Sequence, residues 1–311
     1  MSISTTIYRF KKYLCTYRIK KIRDNRYVTP SVMVDNYIIN NNTLTNVNKE
    51  LVGEFYVPYN ANVNSPTIIG EKAFDGCDKI TRIEMNNNIT DIGIAAFRKC
   101  SNVQFIVMSN NVNILRANTF ETCTSLFAMN LSNIEQIGDY CFLYNTSLSV
   151  IQLSSNLTYI GVSAFQHCHN LYSVTIPNSV TFLGADAFAD CYNLTSINVP
   201  SGVQIIEQGT FKNCNQLIGV GIDEGLQYIR PYAFYNCTKL KTVQIPKSLL
   251  SIDTSAFKNC VNLKTIRITN ASTELQPGCF KNCFKLTIQC FRNSKAHKYA
   301  VANNIKYKLI G

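Results

Sequence analysis

A phenylalanine returns in this chain at a fixed interval. Phe74, Phe97, Phe120, Phe142, Phe165, Phe188, Phe211, Phe234, Phe257 and Phe280 are separated by 23 residues at every step except one of 22, between Phe120 and Phe142. Around each of them the same positions recur. Five residues earlier stands an aliphatic (Ile69, Ile92, Leu115 and onward to Leu275), three residues later a cysteine with Asn145 as the exception, and six later another aliphatic. A period in this range is the signature of a solenoid, because a unit so short cannot bury its own apolar face and must share a core with its neighbours. Phe then fills the wide part of each coil, and Cys and Ala fill tight columns.

The segment after each repeat aliphatic reads L-x-x-V-x-I, closed by proline in "LYSVTIP" (171–177), "LTSINVP" (194–200) and "LKTVQIP" (240–246). Alternation at period two predicts a short strand with one buried face. Proline ends it because it has no N–H to give to a ladder. One strand per coil, always in the same direction, predicts a parallel sheet with strands about 4.8 Å apart. The expected architecture is an α/β solenoid: a curved right-handed coil with one short parallel strand per 23-residue repeat on its concave side. Short helical or 3-10 turns carry the Ala-Phe segments on the convex side.

These residues carry a resemblance. The pattern AF..C..L..V.IP..V..IG at a 23-residue period resembles the BspA-type (treponemal) leucine-rich repeats over roughly residues 51–311. The C-terminal "LTIQCFRNSKAHKYAVANNIKYKLI" is similar to the terminal cap of that family. Departures are Cys141 and Cys279 in place of Ala, Asn145 in place of Cys, and a region 1–50 without repeat character. The resemblance implies a leucine-rich-repeat fold, a protein-binding role without catalysis, and an adhesin-like place at a cell surface.

The domain organisation follows from where the repeat starts and stops. Residues 67–290 hold about ten repeats, and 291–311 form a C-terminal cap. Residues 27–66 combine a capping region, with "VMVDNYII" and an Asn-rich turn, and a stretched first coil. An uncovered solenoid end would expose strand edges and core. Residues 1–26 are a basic segment in which Ile7, Phe10, Leu14 and Tyr17 share one face at helical spacing. It reads either as a tail or cap helix, or as a membrane-surface segment with Cys15 as an acylation site.

Charge excludes some functions once it is located. The chain carries a formal +11. Residues 1–26 hold eight Lys/Arg against one acid, and 281–311 hold seven against none, while the body between is slightly acidic. A nucleic-acid groove would spread Lys and Arg along the body, so nucleic acid is not the expected partner. No run of about 18 apolar residues is present to span a membrane. The first residues lack the apolar core of a secretory signal, which leaves both the cytoplasm and a cell surface reached by another route open. There are eight Asn-x-Ser/Thr sites, including Asn130, Asn193 and Asn236 on or beside packed positions, where a glycan would crowd the coil.

Thirteen cysteines invite a metal or redox reading. Nine of them stack in one column, where parallel side chains suit neither disulfides nor a tetrahedral site, so buried free thiols are expected. Cys279, Cys283, Cys290 and His297 have a superficially zinc-like spacing, but Cys283 belongs to the core column and Cys279 to the small-residue slot. In His167-Cys168-His169 the cysteine points inward and the histidines outward. No nucleophile elbow, Walker loop or dinucleotide fingerprint accompanies the three histidines, and neither an enzyme nor a cofactor is expected.

What remains is surface. Positions one, two and four after each repeat Leu face the concave side. They are mostly Ser, Thr, Asn and Gln, such as Asn130 and Gln152. One apolar zone stands out at Phe105, Val107, Phe127 and Val150, bordered by Tyr172, and cations follow at Lys241, Lys264 and Arg267. Exposed aromatics among polar residues suit a protein-binding face, so a concave-sheet interaction module is expected. The alternatives are an intracellular scaffold and a membrane-peripheral protein held by its basic ends.

Overall fold

Each coil has three sides, and backbone hydrogen bonds tie it to its neighbours on all of them. The computed structural model describes residues 36–59 and 65–311, and the basic segment 1–26 lies outside them. The first side carries the expected strands, in which Val220 sits in parallel register between Ile197 and Val243, and Ile266 between Val243 and Ile288. These strands form three ladders, and single bridges through Ser173 join the second to the third.

The second side is an addition to the expectation. The aliphatic five residues before each Phe ends a two-residue strand, so Ile137 pairs between Leu115 and Ile160, and Ile229 between Ile206 and Ile252. There are thus two strands per coil.

The third side differs from the expected helical or 3-10 turns. The Ala-Phe segment runs as consecutive tight turns. Two residues before and two after each Phe the backbone is left-handed, as at Tyr140 (φ 57°) and Tyr144 (φ 61°), or Ser163 (φ 52°) and His167 (φ 60°). A left-handed residue every fourth position prevents a helix from propagating. It also turns alternate N–H groups outward to the next coil. Phe165 N–H donates to Ala187 O at 2.8 Å, while Cys168 N–H closes its own turn on Phe165 O. Two hydrogen bonds per turn offset strain of roughly 1–3 kcal/mol at each non-glycine left-handed residue. Asparagine tolerates that conformation best, and Asn213, Asn236, Asn259 and Asn282 occupy it in succession. Their side chains bond in two pairs, Asn236 Nδ2 on Asn213 Oδ1 at 3.1 Å and Asn282 Nδ2 on Asn259 Oδ1 at 2.8 Å.

Inside, the ten phenylalanines are buried and stack ring on ring. Centroids are 5.2 Å apart from Phe142 to Phe165 and again to Phe188, with interplanar angles of 4° and 10°. Phe55 and Tyr299 close the stack edge-on at its two ends. The thiols run alongside. In the repeated cysteine column, each Sγ from Cys168 to Cys283 donates to the carbonyl of the Phe 26 residues earlier, as Cys191 does to Phe165 O at 3.2 Å. Cysteine therefore fills the slot as a small hydrophobe that also satisfies a buried carbonyl. Where Asn145 replaces it, the wholly buried amide instead accepts Cys123 N–H at 2.8 Å through Oδ1, which leaves no room for a glycan there.

Close approach between coils makes one further demand. A Cβ on Gly184 would lie 2.5 Å from backbone atoms of both Gly161 and Val162, whereas one on Gly219 would meet nothing within 4 Å. Gly184→Ala is expected to lower stability by about 1–3 kcal/mol and Gly219→Ala to leave it unchanged or raise it by up to about 1 kcal/mol, as read by thermal melting of the two variants.

Both ends are covered. Tyr37–Asn40 and Thr43–Val47 form an antiparallel hairpin, and the latter strand pairs in parallel with Ile68–Ile69. Asn41 and Asn42 supply the left-handed turn of this hairpin. At the other end a helix, Lys295–Ala302, is capped by Ser294, whose Oγ accepts His297 N–H at 3.1 Å. The helix buries Ala296 and Ala300. The chain then returns as a strand, Lys306–Leu309, in parallel register with Thr287–Cys290.

Candidate functional site

The long-strand face is built by alternation. In each strand the central aliphatic points into the core, as Ile106, Met129, Ile151, Ile197, Val220, Val243 and Ile266 do, and the residues beside it point out. Parallel pairing in register then lines the outward residues into columns. One column runs Asn198, Gly221, and then Gln244, Arg267, Gln289 and Lys308. Another runs Ser196, Gly219, Thr242, Thr265, Thr287 and Lys306.

The residues singled out from sequence all lie on this face, in three groups. Phe105 and Val107 are half-buried and pair with Arg82 and Glu84, which form an ion pair at 3.4 Å. The ladder breaks after this strand, and Val150 and Gln152 pair instead with Ala128 and Asn130. Val150 is half-buried, while Asn130 and Gln152 are exposed. Phe127 (45% exposed) and Tyr172 (49%) stand out from the sheet, two coils apart, with Ser149 between them. The apolar zone is therefore two separate rings and a half-buried floor rather than one continuous patch.

Lys241, Lys264 and Arg267 form the third group and are exposed. Lys264 N–H donates to Lys241 O at 2.8 Å, which places the two lysines immediately before adjacent strands. The last strand adds Lys306 and Lys308, also exposed, in register with Thr287 and Gln289. Sequence reading counted these two only as part of a basic end. The alternation in "KYKL" was the signal that they belong to a strand. None of the five cations pairs with a carboxylate among the described residues, although eight ion pairs form elsewhere.

The clusters with catalytic or metal-binding potential resolve into packing. Tyr144 stacks on His167 at 4.5 Å and His169 on Tyr192 at 4.7 Å, with His167 Nδ1 3.8 Å from Asp190 Oδ2. Burial, and then the charge of His167, hold the His169 pKa below its usual value. Cys168 between the two histidines points inward, bonded to Phe142 O, and burial drives its thiol pKa far up, so it supplies no thiolate. His297 packs edge-on against Tyr307 and accepts Asn293 N–H through Nδ1. Cys279, Cys283 and Cys290 are buried free thiols. Among the described residues no group of three or more His, Cys, Asp or Glu could hold a metal ion. A cleft of about 470 Å³ at the C-terminal end is lined by Phe280, Phe284, Tyr299 and Ile305, and burial pushes the Tyr299 hydroxyl pKa upward.

Comparison with known proteins bears on this architecture. The family model described as BspA type Leucine rich repeat region, in 6 copies, matches residues 67–195 and 181–307. Solved structures to which the chain is similar include a leucine rich repeat protein of T. pallidum, 24% identical, covering 66% of this chain and 86% of that one with a TM-score of 0.46. A leucine rich cell surface protein of Faecalibacterium prausnitzii is 20% identical over 88% of this chain and 93% of that one, with a TM-score of 0.47. The pneumococcal vaccine antigen PcpA is 15% identical over 88% and 96%, with a TM-score of 0.48. Comparison with curated proteins finds no match.

Proposed function

Because the chain belongs to the BspA-type leucine-rich repeat family, whose members are repeat scaffolds that typically serve as protein-interaction modules, we propose that it binds a protein partner on its long-strand face. That face is the concave side of the expected coil. The supporting observation is the outward pair Phe127 and Tyr172, about half exposed on a face of Asn, Gln, Ser and Thr. Ring surface held on a rigid sheet is the kind of anchor that interfaces use, because little side-chain freedom is lost when a partner covers it. The adhesin-like place at a cell surface implied by the family is part of the same reading.

A second reading is favoured by the thiols. All twelve cysteines among the described residues are free and buried, and nine of them donate to backbone carbonyls. Such a core needs no oxidising compartment, which suits an intracellular scaffold. Protease shaving of intact cells separates the two: a chain removed by shaving is at the surface, and a protected one is inside.

The interface itself is tested by site-directed photo-crosslinking. A photoreactive residue at Gln152, on the long-strand face, is expected to give a cross-linked species in the source cells that excess unlabelled protein competes away. The same residue at Lys212, on the turn side, is expected to give none. Equal cross-linking from both positions, or none from Gln152, would remove the long-strand face as the binding surface. Phe127→Ala and Tyr172→Ala together are expected to weaken the Gln152 cross-link about tenfold or more, the scale of a lost aromatic anchor.

A further inference from the structure

The C-terminal third of the long-strand face has a chemistry of its own. Arg267, Lys306 and Lys308 lie on the four strands from Thr242 to Leu309, and Lys241 and Lys264 stand immediately before two of them, with Thr242, Thr265, Thr287, Gln244 and Gln289 among them. No carboxylate stands in these columns, and the body of the chain around them is not basic. Cations placed side by side repel one another, so an arrangement that leaves five of them uncompensated on one sheet is complementary to an anion.

The edge of the patch says what kind of anion. Gly219 opens its strand, Gly219–Ile222, and pairs with Thr242, with a φ that any residue can adopt and no atom within 4 Å of where a Cβ would be. Neighbouring Gly221 differs, since its Cβ would meet Asn198 Oδ1 at 2.2 Å. Glycine inside a strand costs roughly 0.5–1 kcal/mol relative to a residue with a side chain. At Gly219 nothing in the chain uses the space it leaves, which marks a place where another backbone can approach the sheet. Ile218, 46% exposed, flanks that space, and the outward columns from Thr242 to Lys308 carry no aromatic ring on which a nucleic-acid base could stack. The one ring in these strands, Tyr307, lies in register with the inward Ile288 and packs edge-on against His297.

We propose that the face from Gly219 to Lys308 binds an extended acidic segment of a protein, its main chain entering over Gly219 and its carboxylates meeting Lys241, Lys264, Arg267, Lys306 and Lys308. Four strand spacings of about 4.8 Å give a path of roughly 19 Å, which about six extended residues span. This rests on the long-strand face being the binding surface and assigns the chemistry of what it binds.

The test uses the full chain and a fluorescent peptide of about twelve residues with alternating Glu, read by anisotropy at about 50 and 300 mM salt, with a Lys-containing analogue and a single-stranded oligonucleotide as the other arms. The acidic peptide is expected to bind and to weaken about tenfold or more at the higher salt, as exposed charge contacts do. Arg267→Glu with Lys308→Glu is expected to weaken it about thirtyfold or more, and Gly219→Val about tenfold, with the thermal midpoint of Gly219→Val unchanged or raised. No binding of the acidic peptide, equal binding of the Lys-containing peptide, unaltered binding by both variants, or tighter binding of the oligonucleotide would each overturn the inference. Should the acidic peptide fail while Gln152 still cross-links its competed partner, the long-strand interface stands and only the acidic assignment falls.

Discussion

Raising the pH from 8 towards 11 under reducing conditions is expected to unfold this protein over a narrow interval. Cys141, Cys168, Cys191, Cys214 and Cys237 are wholly enclosed, and burial drives each of their thiol pKa values upward. Cys77 and Cys279, nearer the ends, are pushed up to about 12 by the same cause. A group whose pKa is raised on folding leaves stability intact below its unfolded value and takes it away as pH climbs towards its folded one. The window therefore opens near the ordinary thiol range, about 8.5, where the unfolded chain begins to lose protons that the folded chain keeps. Each such thiol removes about 1.4 kcal/mol per pH unit, so the five enclosed ones together remove about 7. That is comparable to the whole stability of an ordinary domain, about 5–15 kcal/mol. Far-UV circular dichroism against pH would locate the transition. Cys168→Ser, Cys191→Ser and Cys214→Ser combined keep a donor for the carbonyls of Phe142, Phe165 and Phe188 but do not titrate in this range. They are expected to flatten the pH dependence by about 4 kcal/mol per unit. An alkaline transition that ignored the triple replacement would mean that the thiol file is not what titrates.

Phe188→Ala is expected to cost about 3–5 kcal/mol, among the largest effects of any single substitution here. Phe188 is fully buried between Phe165 at 5.2 Å and Phe211 at 5.9 Å, so its loss opens a gap with no side chain able to collapse into it. Each coil contacts only its neighbours, and a gap at the middle of the stack weakens two coil interfaces at once. Phe188→Leu, which keeps most of the volume, is expected to cost under about 1.5 kcal/mol. Chemical denaturation of the three proteins would check both values. A broadened or two-step transition in Phe188→Ala alone would show the halves on either side unfolding separately. A loss below about 1 kcal/mol would contradict the shared spine.

The parts of the fold that could be read from the residues are those that repeat at one spacing. Phe165, Phe188 and Phe211 had to stack because equal chain lengths separate them, and Val-x-Ile had to be a strand because it alternates. The two-residue strands that end at the aliphatic before each Phe, such as Tyr159–Ile160, were missed because two residues are too few to show a period. The Ala-Phe-x-x-Cys spacing imitates a helical turn, and the left-handed backbone that forbids one is carried at Tyr140, Ser163 and Tyr232 by residues with no special preference for it. Only the succession of Asn213, Asn236, Asn259 and Asn282 hinted at it. The thiols were read correctly as small and buried, but their bond to a carbonyl 26 residues back depends on the coil below.

The face proposed for binding divides the same way. Phe127, Tyr172, Lys241, Lys264 and Arg267 were found by position within the repeat. Lys306 and Lys308 were not, because they lie beyond it and reach the sheet only after the capping helix turns the chain back. Covalent order alone thus determined the period, the residues that face inward and the columns they build, since equal spacing forces equivalent side chains into line. Tertiary structure decided which outward residues become neighbours, where the sheet breaks, and that five cations share one surface, because those depend on the lateral register of separate strands, which no spacing along the chain specifies.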